Sequence, residues 1–294
     1  MKKHSYFLFA IGLLAITSSC NRNEDPVISE EDEQETEVLR DISTDQAVVN
    51  TLYDDLGSQV DGSTYNAEEG DSVWNLCAEL TIDTLGDPFP LQVTLDFGTE
   101  GCTGRDGKVR KGKLVYNMTG PYREVGSVLT TTPDEYYVND WNLLGTRIVE
   151  NLGANGSSQL QYAIEIKNGT AIDPEGEAIK WQSTRTRTWI EGQETGFFTI
   201  ENGSFLGWDG ITDDVYEVTG SGLGVTREGY TFDVEIDSPL RIQLDCQYIT
   251  RGIVTIVPEN YGERTLDYGD GTCDDVAVLQ TPLGVREIKL GWGQ

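Results

Sequence analysis

Histidine is all but missing. Among 294 residues the only imidazole is His4, inside a short apolar segment at the N-terminus. The rest of the chain therefore lacks the means for Ser-His-Asp or Cys-His nucleophilic catalysis, HExxH metalloprotease chemistry and histidine-containing zinc sites. Cations are scarce as well. From residue 20 onward, 19 Lys and Arg stand against 50 Asp and Glu, a formal charge of −31. With no basic surface to displace counterions from phosphates, nucleic acid is excluded as a partner, and so is adsorption onto anionic lipid. Long hydrophobic runs are absent too: the apolar stretch at 6–16 has eleven residues, too few to span a bilayer as a helix. A glycine-rich segment, GCTGRDGKV at 101–109, departs from a phosphate-binding loop in spacing and lacks a hydroxyl after Lys108; its Asp106-Gly107 pair reads as a hairpin turn. What survives these exclusions is carboxylate chemistry or calcium.

The segment 1–19 reads as a signal peptide, with Lys2 and Lys3 ahead of the apolar run and Thr17, Ser18 and Ser19 ahead of Cys20. It resembles a bacterial lipoprotein signal, whose cysteine is acylated and becomes the first residue of the mature chain, although Thr17 stands where leucine is usual. A cleaved secretory signal followed by an incidental cysteine is the competing reading. Residues 20–42 form an acidic tether with too few apolar side chains to offset the entropy of ordering. This tether resembles the surface-export signal of Bacteroidota lipoproteins, and reads also as a plain solvated linker. The expected location is the cell envelope, as an outer-membrane lipoprotein attached through acyl chains on Cys20.

Four further cysteines, Cys77, Cys102, Cys246 and Cys273, suit a disulfide framework in an exported chain. Two of them close near-identical motifs: TLDFGTEGC ends at Cys102 and TLDYGDGTC ends at Cys273. Each has a partner a similar distance upstream, 25 positions for Cys77 and 27 for Cys246. The simplest pairing is Cys77–Cys102 and Cys246–Cys273, which would close two similar modules at about 70–120 and 240–291.

The remainder, 43–294, reads as one helix and one large β-domain. The helix is expected over 43–57, with Ser43 and Gln46 as a capping box, Val48, Val49, Leu52 and Leu56 on one face and Gly57 as a stop. Thereafter the period is two. Leu160, Tyr162, Ile164 and Ile166 alternate with polar residues, as do Tyr230, Phe232, Val234 and Ile236, and then Leu240, Ile242 and Leu244. Turn signals such as Asn155-Gly156, Asn168-Gly169 and Asp173-Pro174-Glu175-Gly176 separate these runs. The expected fold class is all-β, an antiparallel meander closing as a sandwich or a barrel-like sheet.

From the lipobox-like start through the paired TLD[F/Y]G…C motifs to STRTRTWIEG at 183–192, the chain resembles a family of exported lipoproteins of Bacteroidota. The resemblance implies an exported, anchored, β-rich protein and carries no catalytic residues with it.

Two constellations could hold a ligand. The strand KWQSTRTRTWI at 180–190 places Trp181, Arg185, Arg187 and Trp189 on one face. Exposed, they would stack on and pair with an acidic glycan; buried, the indoles would be core and the arginines would meet carboxylates such as Glu165 or Glu217. Asp267, Asp270, Asp274 and Asp275 are the carboxylates that could hold calcium, without the spacing of an EF-hand. The function expected is a lipid-anchored envelope protein that binds a glycan or an envelope protein or serves as a structural surface component. The alternative is a carboxylate-dependent enzyme on cell-surface glycans.

Overall fold

A computed structural model describes residues 78–104, 108–195, 200–201, 204–205, 210, 212–246 and 248–290. The signal segment, Cys20, the tether, the helix expected over 43–57 and Cys77 lie outside the described residues. Among those described, no α-helix occurs.

The alternating runs become strands. The first half comprises β1 (Glu79–Thr84), β2 (Leu91–Asp96), β3 (Cys102–Thr103), β4 (Val109–Met118), β5 (Val128–Val138), β6 (Trp141–Ala154), β7 (Leu160–Ile172) and β8 (Ala178–Glu191). Two short strands follow, β9 (Ile200–Glu201) and β10 (Ser204–Phe205), and then β11 (Val215–Val225), β12 (Thr231–Gln243), β13 (Ile249–Pro258), β14 (Arg264–Asp270), β15 (Val276–Thr281) and β16 (Gly284–Lys289). Fourteen strands form one sheet in the order β1-β2-β4-β5-β6-β7-β8-β11-β12-β13-β14-β15-β16, with β3 beside β4; β9 and β10 pair separately. Each strand on that path is antiparallel to the next, so the sheet is a meander.

The expected closure is not found. β1 pairs with β2 and β16 with β15, at opposite ends of the path, so the sheet does not close into a barrel. Nor, among the described residues, does a second sheet of comparable size oppose it as in a sandwich. Closure requires the first and last strands to share a stagger, and inward–outward alternation along each strand is the same whether or not they do.

What the single sheet does have is a dry face and a wet one. Leu114, Tyr116 and Met118 of β4 are buried, as are Tyr162, Ile164 and Ile166 of β7, Val254 and Ile256 of β13, and Leu266 and Tyr268 of β14. Burying each such side chain stabilises by about 1.5–3 kcal/mol relative to exposure. Contacts that reach across several strands help to cover the dry face. Arg227, in the β11–β12 turn, stands over the ring of Trp141 at the start of β6, three strands away, and pairs with the buried Asp173 of the β7–β8 turn at 3.3 Å. Bulges bend individual strands, such as the one at Gly112 of β4, where φ is +77° and a Cβ would lie 1.9 Å from the Glu135 carbonyl oxygen. The core has two parts, one under β2–β8 that reaches Tyr216 of β11 and is rich in aromatic rings, the other under β11–β15 and mainly aliphatic.

The Cys246–Cys273 disulfide, with Cα atoms 5.9 Å apart, ties the β12–β13 connection to the β14–β15 connection. Cys102 is also disulfide-bonded; Cys77, its expected partner, lies outside the described residues.

Candidate functional site

Strand β8 presents Trp181, Arg185, Arg187 and Trp189 on the inner face. Trp181 is 7% exposed and Trp189 1%, and neither indole N–H has a hydrogen-bond partner among the described residues. Trp181 lies against Gly169 of β7, where a Cβ would come within 2.7 Å of the indole. Trp189 packs against Tyr216 at 5.4 Å between centroids and carries the Arg123 guanidinium 4.4 Å above its ring. Arg123 in turn donates to the carbonyl oxygens of Gln193 and Thr195, at 2.6 and 3.0 Å. Arg187 sits between the Tyr162 and Tyr216 rings, 5.2 and 4.6 Å from their centroids, and donates to the Tyr122 hydroxyl. Tyr122 stacks on Tyr162 at 4.8 Å, so the β4–β5 connection covers this end of the stripe. Nearby, the Tyr216 hydroxyl donates to buried Asp214 at 2.9 Å. Burial, opposed by the Arg187 charge and reinforced by Asp214, pushes the Tyr216 phenol well above its ordinary value.

Glu165 and Glu217 do not join this network. They lie on the outer face, Glu165 with Lys167 at 3.1 Å and Glu217 with Arg251 at 3.0 Å. Arg187 is instead held by aromatic faces and a phenol, a cation–π arrangement that the sequence stripe alone does not specify.

The four aspartates near Cys273 are engaged in turns and an ion pair. Asp267 accepts from the Gly269 amide at 2.9 Å, and Asp270 from the Thr272 amide and hydroxyl at 3.1 and 2.8 Å. Those bonds from Thr272 hold the Asp270 carboxyl below its ordinary value. Asp274 accepts from the Val276 amide at 2.9 Å, and Asp275 pairs with Lys289 at 2.7 Å. Among the described residues, no three His, Cys, Asp or Glu side chains group as metal ligands.

The outer face holds what the sequence reading missed. A groove of about 460 Å³ opens over β7, β8, β11, β12 and β13. Strand β11 reads Gly220-Ser221-Gly222-Leu223-Gly224, with the glycines toward the inner face. At Gly220, φ is +125° and a Cβ would lie 2.3 Å from the Thr184 carbonyl oxygen; at Gly224 a Cβ would strike the Phe232 ring at 2.2 Å. The space that side chains would take at Gly220 and Gly224 is filled by the Thr184 carbonyl and the Phe232 ring, and over this part of β11 the outer face dips into the groove.

The strand register sets a row across this dip. Glu165 stands opposite Thr184, Thr184 opposite Ser221, Ser221 opposite Glu235, and Glu235 opposite Thr255. Beside the row, Leu223 faces Asp233 and Asp233 faces Val257; Leu223 is 52% exposed and Val257 41%. The lining contains no Lys, Arg or aromatic residue. Chemically it offers carboxylates, hydroxyls and exposed aliphatic surface, a setting for hydrogen-bond donors and positive charge. The signal for it in the sequence is the glycine–small-residue alternation at 220–224 next to the acidic alternation Asp233, Glu235, Asp237.

No family model, curated protein or solved structure matches the chain.

Proposed function

We propose that the chain is an exported, lipid-anchored protein of the bacterial cell envelope, of the Bacteroidota type it resembles, which acts as a binding or structural surface component through its outer-face groove. The observation that carries export is the Cys246–Cys273 disulfide, because such bridges persist in oxidising compartments. The lipobox-like stretch before Cys20 and the acidic tether support anchorage. The groove supports binding: it is concave, of mixed polar and aliphatic lining, and built on the main sheet.

Anchorage is tested by Cys20→Ser. The variant should leave the membrane fraction or accumulate as uncleaved precursor; processing and fractionation like the parent would refute it. Binding is tested by Ser221→Trp, which fills the groove from an exposed position. Ligands found by thermal shift should lose their effect in this variant, and a screen without a single groove-dependent ligand would refute the binding reading.

One observation favours the enzymatic alternative. Asp233 and Glu235 share the outer face of β12 inside the groove, two residues apart, so their Cα atoms stand about 6.7 Å apart along the strand. From that backbone spacing the two side chains have the reach for the carboxyl separations that flank a glycosidic bond. Release of reducing ends from a surface glycan, abolished by Glu235→Gln, would establish it.

A further inference from the structure

The groove has a pattern in its charge, not only a sign. Its carboxylates are spread: Glu165 on β7 and Glu235 on β12 mark two ends of one lateral row, with the hydroxyls of Thr184 and Ser221 between them. Three strand steps separate those ends, about 14 Å. Neither one metal ion nor one ammonium group can reach both. An anionic ligand would find no cation among the lining side chains, and a sugar ring would find no aromatic face to stack on.

Resting on the reading of this groove as the binding site, we propose that its ligand is a linear aliphatic polyamine lying across the strands. One terminal ammonium donates to Glu235, with Asp233 two residues along the same strand adding charge. Internal ammonium groups donate to the hydroxyl oxygens of Ser221 and Thr184. The other terminus reaches Glu165, replacing Lys167 in a pair whose side chains are 45% and 52% exposed, an exchange of one weakly held surface pair for another. The methylene segments lie beside Leu223 and Val257, which accounts for aliphatic side chains exposed next to Asp233. A protein of net charge −31 also concentrates cations at its surface, so the assignment requires a site-specific signal above that background.

Calorimetric titration of spermine into the detergent-solubilised full-length protein at physiological salt provides it. One saturable site is expected. Glu165→Gln and Glu235→Gln, at groove positions open to solvent, should each weaken binding by about tenfold. Asp274→Asn removes the same charge outside the groove and should leave the affinity unchanged, and putrescine, too short to span the row, should bind at least about tenfold more weakly. Absence of saturable heat, equal loss in Asp274→Asn, or indifference to Glu165→Gln overturns the proposal. So does a lysine-containing extended peptide that binds the groove more tightly than spermine. If another ligand class shows a thermal shift that Ser221→Trp removes while spermine does not bind, the polyamine assignment fails and the groove remains the site; if none does, the groove reading fails with it.

Discussion

The two TLD[F/Y]G copies solve the same local problem in different surroundings. In both, the leucine points into the core (Leu95 and Leu266, each 3% exposed) and the aromatic residue follows it inward (Phe97 at 7%, Tyr268 at 4%). In both, the aspartate accepts from the glycine amide two residues on, at 2.9 Å, and the glycine takes a positive φ, +72° at Gly98 and +99° at Gly269. The differences are in what each copy meets. Asp96 faces Lys113 across β4 and pairs with it at 2.8 Å, whereas Asp267 faces Val278 and Ile253. Phe97 packs on Tyr136 within the aromatic half of the core, and Tyr268 belongs to the mainly aliphatic half. The repeated letters thus encode a local bend, an anchor, a cap and a positive-φ glycine, which follows the end of β2 at Asp96 and sits as an irregularity just before the end of β14.

That contrast between halves can be broken at graded cost. The largest effect is expected from Trp189→Ala, which empties fully buried volume and removes the ring beneath Arg123; about 3–5 kcal/mol should be lost in denaturant unfolding. Val254→Ala, at an equally buried position in the aliphatic half, should cost about 2 kcal/mol. Equal losses would show that the two cores are energetically alike. Next comes the bridge: Cys246→Ala with Cys273→Ala should cost about 2–4 kcal/mol without touching the first half, so limited proteolysis should sharpen around β13–β15 alone.

The smallest effect separates the two aspartates. Hydrogen bonds from Lys113 and the Gly98 amide hold the Asp96 carboxyl below its ordinary value. Its contribution to stability is therefore present above the ordinary carboxylate range and is lost as pH falls through the lowered folded value. Asp96→Asn should reduce the melting temperature slightly near neutrality, and the difference from the parent should vanish in acid. Asp267→Asn keeps an oxygen that can accept from Gly269 and has no lysine opposite, so its melting curve should track the parent at both pH values.

The faces of the strands were legible in the sequence; their joining was not. Tyr162, Ile164 and Ile166 point inward as their alternation says, because one dry face is all that alternation requires. By contrast, the runs at 230–237 and 240–246 read as separate strands, yet β12 passes through both. Register shifts around Ser238 absorb Pro239, and Leu240 returns to the inner face. Asn168-Gly169 reads as a turn and is a mid-strand bulge, with Asn168 at φ +53°. A bulge and a tight turn draw on the same residues, and only the partner strand distinguishes them. The row across the groove was illegible for a related reason: Glu165, Thr184, Ser221 and Glu235 come from four strands, and a lateral row exists only once their registers are fixed.

The meander has a consequence for how the chain acquires its structure. Nearly every strand pairs with the one made just before it, so each new pairing closes a short loop at small entropic cost. The sheet is therefore built from successive local pairings, the kind of topology that folds faster than one of distant pairings. The longest step is the seam where β11 joins β8 across the segment that holds β9 and β10. That seam closes the longest connection between paired neighbours of the main sheet, and the Trp189–Tyr216 contact carries the aromatic core across it.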